Sequence, residues 1–294
     1  MTQGVDRVDI PLKKYKSGKV REVFESDGRL LIVSTDRISA FDHVLPSLIP
    51  DKGKVLNRIS SFWFRRTRAT IPNHIICEEP ETLEEFAGFA GVISGRTVLA
   101  QKLETYPIEA IIRGYIVGSG WKSYQNSGRI SGIPLPPGLV FAQELPQPIF
   151  TPTTKADEGH DEEISFGDVV TLLGEETAET IRDLALRLYR EAGEYARERG
   201  IIIADTKFEF GRNAAGDIVL IDEIFTPDSS RFWKVEDHRP GHEPPAFDKQ
   251  FVRNYLLQSS WDRVSTPPAL PRDIIDKTRE KYLEIYEIIT GTSL

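Results

Sequence analysis

Two apolar runs of this chain carry carboxylates where a core would exclude them. In Ala204-Asp205-Thr206-Lys207-Phe208-Glu209-Phe210-Gly211 the charged side chains fall on odd positions. An extended segment puts Asp205, Lys207 and Glu209 on one face, and turns Ala204, Phe208 and Phe210 to the other, towards a core. A second run, residues 219–224, carries Asp222 and Glu223. Alternation alone describes any amphipathic strand facing water. Carboxylates on two adjacent apolar strands also suit a divalent cation, because Mg²⁺ takes one or two protein carboxylates together with substrate phosphates. Glu209 and Asp222 form the expected pair, provided the register sets odd positions of the first strand against even positions of the second.

Other segments could bind anions. Lys16-Ser17-Gly18-Lys19-Val20-Arg21 places a small, flexible pair among cations. It is either a basic surface turn or a loop whose backbone N–H groups, with Lys19 and Arg21, wrap a polyphosphate. Arg113 lies inside the apolar run 107–120, and a buried arginine needs an anionic partner. Glu109 could be that partner. Alternatively Arg113 and Ser119, with Gly118 and Gly120 allowing close approach, hold a phosphate or carboxylate. Thr226-Pro227-Asp228-Ser229-Ser230-Arg231 follows the second carboxylate run and delivers Asp228 and Arg231 near a strand end. An Asx turn and stacking on Trp233 are the plainer readings there. Arg253, on an expected helix over 247–257, is a further cation.

Several function classes are excluded. No GxxxxGK[ST] and no GxGxxG after a strand occurs, and the kinase catalytic-loop and DFG signatures are missing. His238 and His242 are separated by Pro240-Gly241, which prevents a shared helical face. Cys77 is the single cysteine, so neither an internal disulfide nor a thiolate zinc cluster can form. Ser119 lacks the GxSxG elbow of a serine hydrolase. The net charge of −8 over 294 residues argues against a general nucleic-acid binder. With 39% hydrophobic and 28% charged residues, and no apolar run long enough for a bilayer, the expectation is a soluble cytoplasmic enzyme.

The elements that must position these groups follow from periodicity. Strands over 21–24 and 30–34 flank a turn at 25–28. A helix is expected over 55–69, a strand over 98–103, and a second lobe from about 109. Residues 131–166, rich in Pro, Gly and Thr, read as a long irregular loop. A helix over 175–199 is followed by a hairpin of strands over 201–210 and 218–225, and a last helix spans 273–289. Helices and strands mix without strict alternation, which favours α+β over a doubly wound sheet.

The runs SGKVREVF, STDRISAFD, PIEAIIRGYIVGSGW, IIADTKFEFG and IDEIFTPDSSRFW, in this order over nearly the whole chain, resemble the SAICAR synthetases (phosphoribosylaminoimidazole-succinocarboxamide synthases) of purine biosynthesis. The resemblance implies a two-lobed α+β fold similar to ATP-grasp and kinase-like folds. A β-rich lobe would span 1–105 and a larger α+β lobe 106–294. It implies a ligase that joins carboxyaminoimidazole ribonucleotide to L-aspartate, consuming ATP with Mg²⁺ through an acyl phosphate. By the same resemblance Ser17, Gly18, Lys19 and Arg21 match the phosphate loop, and Lys102, Leu103 and Glu104 the adenine and ribose hinge. Arg113, Ser119, Arg231 and Arg253 match nucleotide-substrate positions. Lys207, Asp205 and Asp228 match catalytic positions near that substrate, and Glu209 and Asp222 the magnesium carboxylates. Asp36, Ser39 and Asp42 border the cleft, and Lys155 and Asp157 lie where aspartate is expected. A monomer without nucleic-acid or membrane partners is implied. Two rivals stand beside this reading: a small-molecule kinase that needs no aspartate, and a non-catalytic nucleotide-binding module.

Overall fold

A computed structural model describes residues 4–155, 161–247 and 249–294. The N-terminal part holds a five-stranded antiparallel sheet in the order Lys13–Ser17, Arg21–Ser26, Arg29–Ser34, Thr97–Gln101, Ile75–Cys77. The hairpin expected around 25–28 closes on two residues, Asp27 and Gly28, with φ of 48° and 75°. Asp-Gly suits such a turn because both central residues need positive φ. The alternating side chains then separate. Phe24, Leu31, Val33 and Leu99 pack with Val8, Ile10, Phe86 and Ile93. Val23, Leu30 and Ile32 point the other way and line a cavity.

A second antiparallel sheet runs in the order Glu144–Phe150, Ile108–Tyr115, Ile201–Arg212, Ile218–Ile221. Ser230–Lys234 and the short Glu104–Thr105 also pair with the long strand Ile201–Arg212. One face of this sheet is buried by the helix Glu175–Arg197, whose Ala178, Ile181, Ala185, Leu188, Tyr189 and Ala192 form the apolar stripe seen in the sequence. The helices Lys52–Arg66 and Arg272–Thr290 complete that core around Phe208, Phe210 and Phe225. Burying each such ring contributes about 1.5–3 kcal/mol. A smaller cluster, Ile38, Ala40, Leu45 and Ile49 with Val252 and Leu256, seats the helix Gln250–Gln258 against the N-terminal segment.

Two expectations are corrected. Residues 131–166 are not irregular throughout: Glu144–Phe150 is an edge strand of the second sheet, and Thr153–Thr154 also pairs with Ile108–Tyr115. Pro146 and Pro148 disguise the strand; prolines are tolerated at a sheet edge, where an N–H need not bond a neighbour. The strand expected over 218–225 stops at Ile221, because Asp222 and Phe225 take φ of 68° and 50°. Among the described residues no helix is long and apolar enough to cross a membrane.

Candidate active site

Register assembles the site. Asp205 pairs with Arg113 and Lys207 with Ile111 across adjacent strands. Paired residues project to the same face, so the two charged runs that are nearly a hundred positions apart in sequence converge on the sheet face opposite the helices. Arg113 is 4% exposed, and its partner is Asp205, not Glu109. Its Nη1 donates to Asp205 Oδ2 at 3.1 Å, its Nη2 to Ser119 Oγ at 2.9 Å, and its Nε to Thr151 Oγ1 at 3.0 Å. Arg231 donates to the same Asp205 oxygen. Glu109 instead accepts from Lys207 Nζ at 2.7 Å.

Arg113, Ser119, Asp205 and Arg231 line a cavity of about 210 Å³ with Lys207, Asp228, Lys249 and Arg253. Its five cationic side chains outnumber the two carboxylates, which suits a ligand with several anionic groups. The glycines expected to allow close approach do so. A side chain at Gly118 (φ 56°) would put Cβ 2.5 Å from Arg231 Nη2, and at Gly120 3.1 Å from Arg113 Cδ. Asp228 accepts from Lys52 Nζ at 2.8 Å and Tyr282 Oη at 2.8 Å, with Lys249 Nζ at 3.1 Å. Burial raises its carboxyl pKa, but Lys249 and Lys52 outweigh that and hold it below the usual range. Lys52 is fully buried, and burial pushes its ammonium down against the pull of Asp228.

A second cavity, of about 570 Å³, lies between the two sheets. Val23, Leu30, Ile32, Leu103 and Ile221 make part of its wall apolar, while Lys16, Gly18, Arg21, Lys155, Glu209 and Asp222 supply polar groups. Arg21 chelates Asp222 through both terminal nitrogens, at 2.6 and 2.9 Å. Burial works against the Asp222 charge, yet Arg21 and Lys207 hold its carboxyl well below the usual range. Glu209 accepts from Lys155 and, at 2.8 Å, from Lys207. The Lys207 ammonium is penalised by burial but held above its ordinary range by Glu209, Asp222 and Glu109. Through the Lys207–Glu209 contact the two cavities meet.

The register does not follow the sequence expectation. Glu209 stands opposite Ile221, so a regular strand would turn Asp222 to the other face. The left-handed backbone at Asp222 redirects its carboxylate, and both acids line one cavity. Two carboxylate groups beside room for phosphates match what Mg²⁺ takes from a protein.

Other expected site residues are dispersed. Leu103 lines the second cavity, whereas Lys102 pairs with Glu25 at 2.6 Å and Glu104 with Arg212 at 2.9 Å. Ser17 Oγ donates to Glu22 at 3.0 Å, and Lys19 pairs with Asp42. Asp42 and Ser119 line a third cavity with Arg231 and Arg253. Ser39 Oγ lies 3.5 Å from Lys249 Nζ. Asp36 is a structural residue. It is 1% exposed, and its carboxylate accepts the Val5 and Gly53 N–H groups and both terminal nitrogens of Arg96. Asp157 lies outside the described residues. Lys52, Lys249 and Tyr282 were not anticipated. A cation in the first turn of the helix Lys52–Arg66 opposes the helix dipole, and that was the available signal; Tyr282 follows an ordinary apolar stripe.

A sequence profile described as SAICAR synthetase matches residues 14–268. A phosphoribosylaminoimidazole-succinocarboxamide synthase of Methylococcus capsulatus is 52% identical over 282 residues, covering 95% of each chain. A SAICAR synthase of Saccharomyces cerevisiae, solved with SAICAR, superimposes with a TM-score of 0.90 at 40% identity, covering 99% of both chains. A type-2 SAICAR synthetase solved with ADP gives a TM-score of 0.70 at 27% identity, covering 96% of this chain and 99% of that one.

Proposed function

The chain belongs to the SAICAR synthetase family, and we propose a division of labour within its site on that premise. It is an ATP-dependent ligase that joins the carboxylate of carboxyaminoimidazole ribonucleotide to the amine of L-aspartate, giving SAICAR, ADP and phosphate in purine biosynthesis. The observation that carries the division is the contact of two unlike cavities at Lys207 and Glu209.

ATP takes the cavity between the sheets. Its base lies against Val23, Leu30, Ile32, Leu103 and Ile221, and its phosphates against the 17–21 loop and Arg21. The neighbouring cavity takes the ribonucleotide. Arg113, Ser119, Arg231 and Arg253 hold its anionic groups; Asp205 fixes Arg113 and Arg231 in place, and Asp228 fixes Lys52 and Lys249. Lys207 stands where the γ-phosphate and the substrate carboxylate converge. Lys155, next to the undescribed segment that contains Asp157, is positioned for an aspartate carboxylate. Glu209 and Asp222 are the residues that would hold Mg²⁺, which when bound offsets phosphate charge.

A carboxylate is a poor electrophile, so activation comes first. A substrate carboxylate oxygen bonds to the γ-phosphorus while the bond to the β-bridging oxygen breaks and ADP leaves. The aspartate nitrogen then bonds to the carboxyl carbon, the bond from that carbon to the phosphate oxygen breaks, and the amine loses a proton. Lys207, kept cationic, meets the negative charge that develops in both steps. We take 1–105 and 106–294 as the two lobes and the enzyme as a cytoplasmic monomer. With ¹⁸O in the substrate carboxylate, this route carries one label into inorganic phosphate. Unlabelled phosphate would exclude the acyl phosphate.

A further inference from the structure

Arg37 has no place in the chemistry just described, yet it spends its whole guanidinium on the 17–21 loop and its surroundings. It is 7% exposed. Nε donates to Lys19 O at 3.0 Å, and Nη2 to Gly18 O at 3.0 Å and Arg21 O at 3.3 Å. Nη1 donates to Asp6 O at 2.9 Å and to Glu22 Oε1 at 2.7 Å. The remaining carbonyl between Gly18 and Arg21, Val20 O, accepts both the N–H of Thr35 at 2.9 Å and its hydroxyl at 2.7 Å. Arg37 N in turn bonds Thr35 Oγ1 at 3.3 Å. Every carbonyl from Gly18 to Arg21 is therefore tied to Thr35 or Arg37, with Gly18 N–H closing on Arg21 O at 2.8 Å.

The planarity of the trans peptide gives this anchoring a direction. A C=O and the N–H of the following residue point opposite ways. Holding the Gly18 and Lys19 carbonyls on the Arg37 side turns the Lys19 and Val20 N–H groups away from it. A glycine-containing loop would otherwise sample many arrangements, and freezing it at the moment of binding costs affinity. We propose that Arg37 is a positioning residue that holds the 17–21 loop in its triphosphate-binding form before ATP arrives. Arginine suits the task because its planar fork can serve several carbonyls at once, whereas a lysine ammonium serves fewer from one point.

The inference rests on the phosphate-loop reading of 17–21, so the test carries a control for that reading. Steady-state kinetics are measured for Arg37→Gln, Arg37→Lys and Lys19→Ala, each substrate varied in turn, beside thermal melts. The expected result is a KM for ATP raised about tenfold in Arg37→Gln, with the other two KM values within about twofold of the parent. Arg37→Lys falls between parent and Arg37→Gln, and Lys19→Ala also weakens ATP. An unchanged KM for ATP in folded Arg37→Gln, or losses spread evenly over all three substrates, overturns the inference while Lys19→Ala still weakens ATP. If Arg37→Gln does not fold, Arg37→Lys decides alone: an unchanged KM for ATP overturns the inference. An ATP KM unchanged in Lys19→Ala removes the phosphate-loop reading, and the inference with it.

Discussion

Glu209 and Asp222 present their carboxylates to one cavity although they are out of register by one residue: Glu209 faces Ile221 across the hairpin, and Asp222 turns back through a left-handed φ of 68°. Two acids are thus brought beside Arg21, Lys155 and Lys207 without breaking the apolar face of the sheet.

Charge removal here should silence turnover without unfolding the protein. Asn tolerates the left-handed region, so Asp222→Asn keeps the backbone while losing the charge. Asp222→Asn and Glu209→Gln are each expected to lower turnover about 100-fold or more, in line with losing a charge-stabilising group. Initial rates at saturating Mg²⁺, beside thermal melts, check this. Near-normal turnover in Glu209→Gln would remove Glu209 from the metal role.

Gly118 is constrained twice, by its φ of 56° and by Arg231 Nη2 within 2.5 Å of any added Cβ. Gly118→Ala is expected to displace Arg231. The KM for the ribonucleotide should rise about tenfold with that for ATP unchanged, and stability should drop by about 1 kcal/mol. Kinetics with each substrate varied separate this from a general defect.

Asp205 neutralises two guanidiniums, of which Arg113 has a side chain only 5% exposed. Removing one partner of a buried pair leaves an uncompensated charge. Asp205→Ala is expected to lose about 3–5 kcal/mol of stability, measured by urea denaturation at neutral pH. A loss below 1 kcal/mol would show that Ser119 and Thr151 suffice to hold Arg113.

The His74 imidazole, 2% exposed beside the second cavity, is pushed down to about 4 by burial, with Asp222 opposing and Arg21 reinforcing the fall. In the unfolded chain the same ring takes its proton near pH 6.5. Between these values the unfolded state binds more protons, so stability declines as pH falls from about 6.5 towards 4. The His74 share of that loss is at most about 3 kcal/mol. Thermal or urea denaturation across this window should show a shallower decline for His74→Gln than for the parent.

How much of this was legible in sequence depended on whether a signal was local. The alternation at Asp205, Lys207 and Glu209 described their shared face correctly, because strand period is a local property. The long helix was equally plain, with its stripe from Ala178 to Ala192. Arg113 announced a need for an anion but not which one, since Asp205 is ninety-two positions away and only register pairs them. The sequence pairs Asp222 with Glu209 through a register that does not occur; its positive φ has no sequence signature beyond tolerance of Asp for that region. Glu144–Phe150 was hidden by its prolines, and Asp36 by a resemblance of motif that carried no information on burial.

The most direct test of the central claim is ADP release by the purified protein with ATP, Mg²⁺ and carboxyaminoimidazole ribonucleotide, measured with and without L-aspartate. The account predicts release that depends on aspartate and matches, mole for mole, a product carrying the succinyl group. Release at the same rate without aspartate, leaving a stable phosphorylated product, would contradict it and identify a kinase.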